Sequence, residues 1–301
     1  MSEKKILRYD KKKGHCTAPY SVNIAVTERC PLKCPFCFQK YDHYHELSYQ
    51  MVQKYIDEIS SLGTAQVQFS GGEPLVYPYL LESISYAHSK GLYTVISTSG
   101  IGLSEDRARK LKISGLDRCY VSLNGSTAEI HGLTREGFDY AVWALEILSK
   151  TGVKTAINWV AYHENVNDLP DLITLAKSLN VQFVSVIPMK KNNEDKILNG
   201  INENDFMELV DYCKKFKGYL IVDSCFKELN KAIRGRVGLT EECRAGVFYM
   251  AINAMGEFLY CPHLIEKGVK FPSIKEYWYE DEELNYHRKS KSCFCVGSVL
   301  Q

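Results

Sequence analysis

From residue 21 to about residue 225, short apolar runs alternate with longer amphipathic stretches. The runs Ser21–Thr27, Ala65–Ser70, Tyr93–Thr98, Cys119–Leu123, Thr155–Ala161 and Gln182–Ile187 are rich in β-branched and aromatic residues, which predicts strands. Between them Tyr49–Leu62, Leu80–His88, Ala141–Thr151 and Leu169–Leu179 carry apolar residues at helical spacing. Strand and helix in alternation specify βα units around a parallel sheet. Six such units suit an α/β fold built as a partial (β/α)6 TIM-like barrel, whose site would lie at the carboxyl ends of the strands. A seventh strand, Tyr219–Asp223, follows a helix around Asn204–Phe216 and should extend the sheet.

Beyond Cys243 the alternation stops. Val247–Ile252 and Glu257–Tyr260 flank Asn253-Ala254-Met255-Gly256, which reads as a β-hairpin turn. The remaining tail is charged, aromatic and irregular as far as Cys293-Phe294-Cys295. The expected division is an N-terminal extension over 1–20, the barrel over 21–235 and a small cysteine-bearing domain over 236–301.

Composition changes this picture little. The chain has 301 residues, 37 basic against 36 acidic side chains and a formal net charge of +1. That balance makes no case for a nucleic-acid or membrane partner, and none is expected. The basic run from Lys4 to Lys13 reads as a solvated tail or as an attractor for an acidic peptide. No stretch is apolar enough for a membrane span or a signal peptide. Eleven cysteines in so large and regularly patterned a chain fit metal chemistry in a reducing, low-oxygen cytoplasm better than a disulfide scaffold.

Three of those cysteines crowd one loop directly after the first strand: Cys30, Cys34 and Cys37, in C-x3-C-x2-C spacing. Three soft thiolates can hold three corners of an iron–sulfur cube and leave one iron open to a ligand. Zinc is the competing reading, with His43 or His45 completing a Cys3His site. Gly71-Gly72-Glu73-Pro74 follows the second strand, where glycines permit close backbone approach and Pro74 fixes a turn. A plain strand-to-helix turn would use the same glycines.

The cysteine triple, Phe36 before its last member and Gly71-Gly72-Glu73-Pro74 together resemble the radical S-adenosylmethionine (SAM) enzymes. The resemblance implies that Cys30, Cys34 and Cys37 hold a [4Fe-4S] cluster whose open iron binds SAM. Reductive cleavage of SAM would then yield a 5′-deoxyadenosyl radical that abstracts hydrogen from an unactivated C–H bond. It also implies that Gly71, Gly72, Glu73 and Pro74 cradle the SAM amino group, and that Ser122 and Arg135 hold its carboxylate. Ser97, Thr98 and Asn124, at strand ends, would suit the ribose. Met189 would line the adenine or simply fill core.

Cys243 and Cys261 flank the expected hairpin, with Gly256 in C-x12-G-x4-C spacing. This is similar to the SPASM or shorter Twitch domains appended to radical SAM enzymes that act on peptides. The similarity implies one auxiliary [4Fe-4S] cluster completed by Cys293 and Cys295, with structural zinc as the alternative. Cys16, Cys119 and Cys213 read as small buried hydrophobes. Cys225 differs, because it closes a strand at the barrel mouth in Asp223-Ser224-Cys225. A thiol there can give a hydrogen atom to a carbon radical. Otherwise Asp223 or Ser224 caps a helix and Cys225 is filler.

The whole pattern resembles radical SAM peptide epimerases, in which L-to-D inversion at Cα would use Cys225 and Asp223. The expected partners are a ribosomally synthesised precursor peptide and an electron donor such as flavodoxin or ferredoxin. Peptide crosslinking through a thioether or C–C bond is the second reading. Molybdopterin-type cofactor synthesis and a non-enzymatic iron–sulfur or zinc scaffold follow. The stretch before residue 21 is too short for a leader-binding domain, so peptide recognition falls to the barrel mouth, the tail or a partner.

Overall fold

The computed structural model describes residues 9–10, 12–37, 44–190, 200–234, 243–264 and 268–290. His43, Cys293 and Cys295 lie outside them, as does the expected domain boundary at 235/236.

A short hairpin, β1 (Tyr9–Asp10) and β2 (His15–Cys16), precedes the first long strand, β3 (Ser21–Thr27). There follow α1 (Tyr49–Leu62), β4 (Gln66–Gly71), α2 (Leu80–Ser89), β5 (Tyr93–Thr98), α3 (Glu105–Ile113) and β6 (Arg118–Ser122). Two helices, α4 (Ala128–Gly132) and α5 (Phe138–Lys150), lead to β7 (Lys154–Ala161). Another two, α6 (His163–Val166) and α7 (Leu169–Ser178), lead to β8 (Val184–Pro188). The chain continues through α8 (Glu203–Lys215), β9 (Leu220–Val222), α9 (Lys227–Arg234), β10 (Tyr249–Ile252) and β11 (Phe258–Leu259). It closes with α10 (Ile274–Glu280) and α11 (Glu282–Ser290).

Nine strands form one sheet in the order β11-β10-β3-β4-β5-β6-β7-β8-β9, parallel throughout except for the β10–β11 hairpin. The α/β barrel expected from the pattern is therefore present, with β3 to β8 as its six central strands. Each strand buries one face under helices. On β3 that face is Val22, Ile24 and Val26, all fully buried, each stabilising the fold by about 1.5–3 kcal/mol. Helix α1 shows why its sequence is helical: Val52, Tyr55, Ile56 and Ile59 make one buried stripe. Ser48 caps its first turn, and Gly63 ends it in the left-handed region at φ +84°.

Two regions differ from the sequence expectation. The hairpin after Cys243 does not stand apart, because β10 pairs in parallel with β3, Tyr249 to Ser21 through Ile252 to Ile24. The tail is not irregular either. Ser273 caps α10, whose Ile274, Tyr277 and Trp278 are buried at helical spacing. Trp278 Nε1 donates to the Cys16 carbonyl at 3.0 Å, tying tail to N-terminus. A charged, aromatic composition masked a three-residue apolar stripe. Among the described residues, no helix is long and apolar enough to cross a membrane.

Candidate functional site

The strands turn their other face inward around a cavity of about 480 Å³, a volume in the range of small-molecule and cofactor sites. One wall is the loop after β3. Cys30, Cys34, Phe36 and Cys37 all line the cavity. Burial pushes the Cys30 thiol up to about 11, and burial raises Cys34 as well, partly offset by Arg135. A metal would have to displace those protons. Among the described residues, no three His, Cys, Asp or Glu side chains stand close enough to make a preformed ion site.

The loop's root is fastened by the Gly-Gly-Glu-Pro stretch. Gly72 N–H donates to the Thr27 carbonyl at 2.7 Å, and Glu73 N–H donates to that of Arg29 at 2.8 Å. A Cβ on Gly72 would stand 2.5 Å from the Glu28 carbonyl oxygen and nearer still to that of Arg29. A Cβ on Gly71, at φ +133°, would overlap the Thr27 carbonyl. These glycines thus admit the cysteine loop's backbone, in addition to lining the cavity.

Glu73 is nearly fully buried and its carboxylate is taken up by the chain itself. Oε1 accepts from Leu75 N at 3.0 Å and Thr98 Oγ1 at 2.6 Å. Oε2 accepts from Ser99 N at 2.7 Å and Ser99 Oγ at 2.6 Å. Glu73 is therefore a latch between its own turn and the end of β5, and Thr98 is spent on it. Gly71, Gly72 and Glu73, expected to cradle a ligand amine, nevertheless all border the cavity. Pro74 is buried in the following turn and does not line the cavity.

Ser97, Ser122, Asn124 and Arg135 line the cavity. Asn124 is also committed: Nδ2 donates to Thr134 Oγ1 at 2.9 Å, and Oδ1 accepts from Val160 N at 3.0 Å. Ser97 Oγ accepts from Gln68 Nε2 at 2.7 Å. Arg135 is different. Its guanidinium lies 5.6 Å from the Phe36 ring centroid, and its buried Nε has no hydrogen-bond partner among the described residues. An unsatisfied buried donor on a cation calls for an anionic ligand group, so the site fits a carboxylate beside the cysteine loop. Of Ile187-Pro188-Met189, expected at the adenine, Ile187 lines the cavity, whereas Met189 is buried outside its lining, as the alternative of a core residue has it. His45, the proposed fourth ligand for zinc, instead pairs through Nδ1 with Glu28 Oε2 at 2.8 Å.

On the wall beyond β9, Asp223 and Cys225 both line the cavity. The strand ends at Val222, and the Asp223 carboxylate accepts the Cys225 N–H at 2.7 Å in a tight turn. Tyr249 of β10 also faces in. Its phenol is raised well above the ordinary value by burial, reinforced by Cys261, Cys225, Cys243 and Asp223. One side chain therefore has the barrel-mouth thiol and both hairpin cysteines around it. Cys243 and Cys261 are themselves buried. Cys16, Cys119 and Cys213 are buried elsewhere, with thiols raised by burial, Cys213 to about 12.

The sequence reading named Ser122 but missed the floor it belongs to. Ser122 of β6, Asn158 of β7 and Ser185 of β8 are register neighbours across three strands, and all line the cavity. Asn23, Gln68 and Ser70 continue the polar surface. The available signal was polar residues at alternate positions inside apolar runs.

Comparison with known proteins agrees with this geometry. Residues 24–176 match the family described as the Radical SAM superfamily. The PqqA peptide cyclase of Ruegeria pomeroyi is 29% identical over 294 residues, covering 90% of this chain and 76% of that protein. Streptococcus suis SuiB bound to S-adenosylmethionine superposes with a TM-score of 0.77 at 18% identity, covering 95% of this chain and 73% of that one. SuiB bound to precursor peptide SuiA gives the same TM-score and identity over 92% and 68% of the two chains.

Proposed function

Because the chain belongs to the radical SAM superfamily, whose members use a [4Fe-4S] cluster and SAM, we propose that it modifies a ribosomally made precursor peptide by epimerising an L-residue at Cα. The observation that carries this reading is Cys225 lining the same cavity as Cys30, Cys34, Cys37 and Arg135. The names of its similar proteins, a peptide cyclase and a protein bound to a precursor peptide, support the peptide substrate.

When bound, the cluster and SAM would supply the radical chemistry that activates a C–H bond of the peptide. The chain's own residues do the rest. Cys30, Cys34 and Cys37 hold the cluster. Arg135, backed by Phe36, pairs with the SAM carboxylate, and Ser122 and Ser97 offer hydroxyls beside it. Glu73, Thr98 and Asn124 keep the strand ends rigid. The neutral floor of Ser, Asn and Gln solvates peptide amides without imposing charge. Cys225 gives a hydrogen atom to the face opposite the one attacked, and Asp223 fixes the turn that presents it.

The hairpin and tail, roughly 236–301, form the second functional unit in this reading. Cys243 and Cys261, with Cys293 and Cys295 as the further candidate ligands, would hold an auxiliary [4Fe-4S] cluster. Flavodoxin or ferredoxin in the cytoplasm provides electrons.

Turnover in heavy water tests the proposal. The product should gain a single deuterium per altered residue and otherwise keep its mass. The second reading, crosslinking, is favoured by the name of the cyclase relatives. It predicts loss of two hydrogens and no solvent deuterium at Cα. A product with that mass would replace epimerisation.

A further inference from the structure

Resting on the reading that Cys225 returns hydrogen to the peptide, we propose that Lys190 is the counter-ion of its sulfur. It would act when the sulfur is restored after each transfer. Lys190 Nζ donates to Cys225 Sγ at 3.5 Å, across 35 positions of sequence. Strand register brings them together. Val186 of β8 pairs with Val222 of β9, and Lys190 and Cys225 lie just past those parallel strand ends.

The chemistry explains why a cation belongs there. Transfer of hydrogen from S–H to a carbon radical breaks the S–H bond, forms the C–H bond and leaves a sulfur radical. The next turnover needs one electron and one proton at that sulfur. An iron–sulfur or flavin donor supplies the electron, which makes a thiolate. The ammonium stabilises that anion through a charge-assisted hydrogen bond. It then passes a proton to sulfur and is reprotonated from water. Among the described residues, titratable groups near the sulfur include Asp223 and Tyr249. Asp223 Oδ1 accepts the Cys225 N–H at 2.7 Å. Tyr249 of β10 lines the same cavity.

The test uses the full reconstituted chain and follows alkylation of the Cys225 peptide by mass spectrometry across a pH series. Lys190→Met should raise the midpoint of Cys225 alkylation by about one pH unit, while Lys190→Arg stays near wild type. In product assays Lys190→Met should retain most of its first turnover, whereas later turnovers should slow about tenfold. An unshifted midpoint would overturn the contact, and first and later turnovers falling together would overturn the restoring role. If Cys225→Ala makes normal D-product, the epimerase reading fails instead. The alkylation shift in Lys190→Met would survive that result, so the two failures are distinguishable.

Discussion

The two ends of the cavity are built in opposite ways. The cysteine-loop wall comes from residues 27–37 and 71–73, fastened by backbone hydrogen bonds and a fully engaged buried carboxylate. The Cys225 wall is assembled from Lys190, Asp223–Cys225 and Tyr249, three stretches distant in sequence that lie towards opposite ends of the strand order, with Lys190 Nζ donating to Cys225 Sγ across them. In the proposed reading the first wall would hold the cofactor, while the second would admit a peptide and change its sulfur's oxidation state, work that favours fewer constraints.

The sharpest way to break this contrast is to remove a cysteine from each side. Cys34→Ala should lose the loop's iron and reduce 5′-deoxyadenosine formation by at least about 10³-fold, since the chemistry belongs to the cofactor. If Cys243 holds the proposed auxiliary cluster, Cys243→Ala should lose about half of the iron and retain SAM cleavage. Iron assay together with chromatography of 5′-deoxyadenosine separates the two. Equal loss of cleavage in both variants would erase the distinction between a catalytic and a supporting wall.

Rigidity is the next point of attack. Gly72→Ala should cost about 3 kcal/mol or more, because its Cβ meets backbone carbonyls that cannot move aside. Chemical denaturation of the metal-free chain measures it. A change within about 0.5 kcal/mol would mean that the loop root yields easily.

The motif-bearing wall was legible in sequence because its residues are contiguous. The strand bounds Ser21–Thr27 and Tyr93–Thr98 and the helix Tyr49–Leu62 were also legible, since burial under helices leaves a clear apolar period. The partners of Glu73 were hidden, because Thr98 and Ser99 lie 25 and 26 residues away. Lys190 was hidden for the same reason: only the β8–β9 register brings it to Cys225. The polar floor escaped notice because strand assignment follows the apolar face, whereas Ser122, Asn158 and Ser185 occupy the other.

Acid tests the neighbourhood of Arg135 from behind. His131 is buried, and burial together with Arg135 lowers it from 6.5 to about 4. Its Nδ1 accepts the Asn124 N–H at 3.1 Å, which requires that nitrogen unprotonated. A folded-state value below the unfolded one contributes stability above the unfolded value, and that stability is lost as pH falls from 6.5 towards 4. The loss should total about 2–3 kcal/mol and be largely absent from His131→Gln. Denaturation of both proteins between neutral and acid pH checks the sign, and parallel curves would remove His131 as its source.

The smallest of these effects concerns how Arg135 binds. Its guanidinium lies over the Phe36 ring, 5.6 Å from the centroid, while its Nε has no partner among the described residues. A lysine keeps the charge but loses both the planar face over that ring and the fork of donors. Arg135→Lys should therefore weaken SAM binding by about tenfold, or about 1.4 kcal/mol, with cluster content unchanged. Equilibrium dialysis with SAM, alongside iron content, reads the two separately. Affinity retained at the wild-type level would mean that a point charge suffices on this wall. Preorganised geometry would then matter there no more than it does around Cys225.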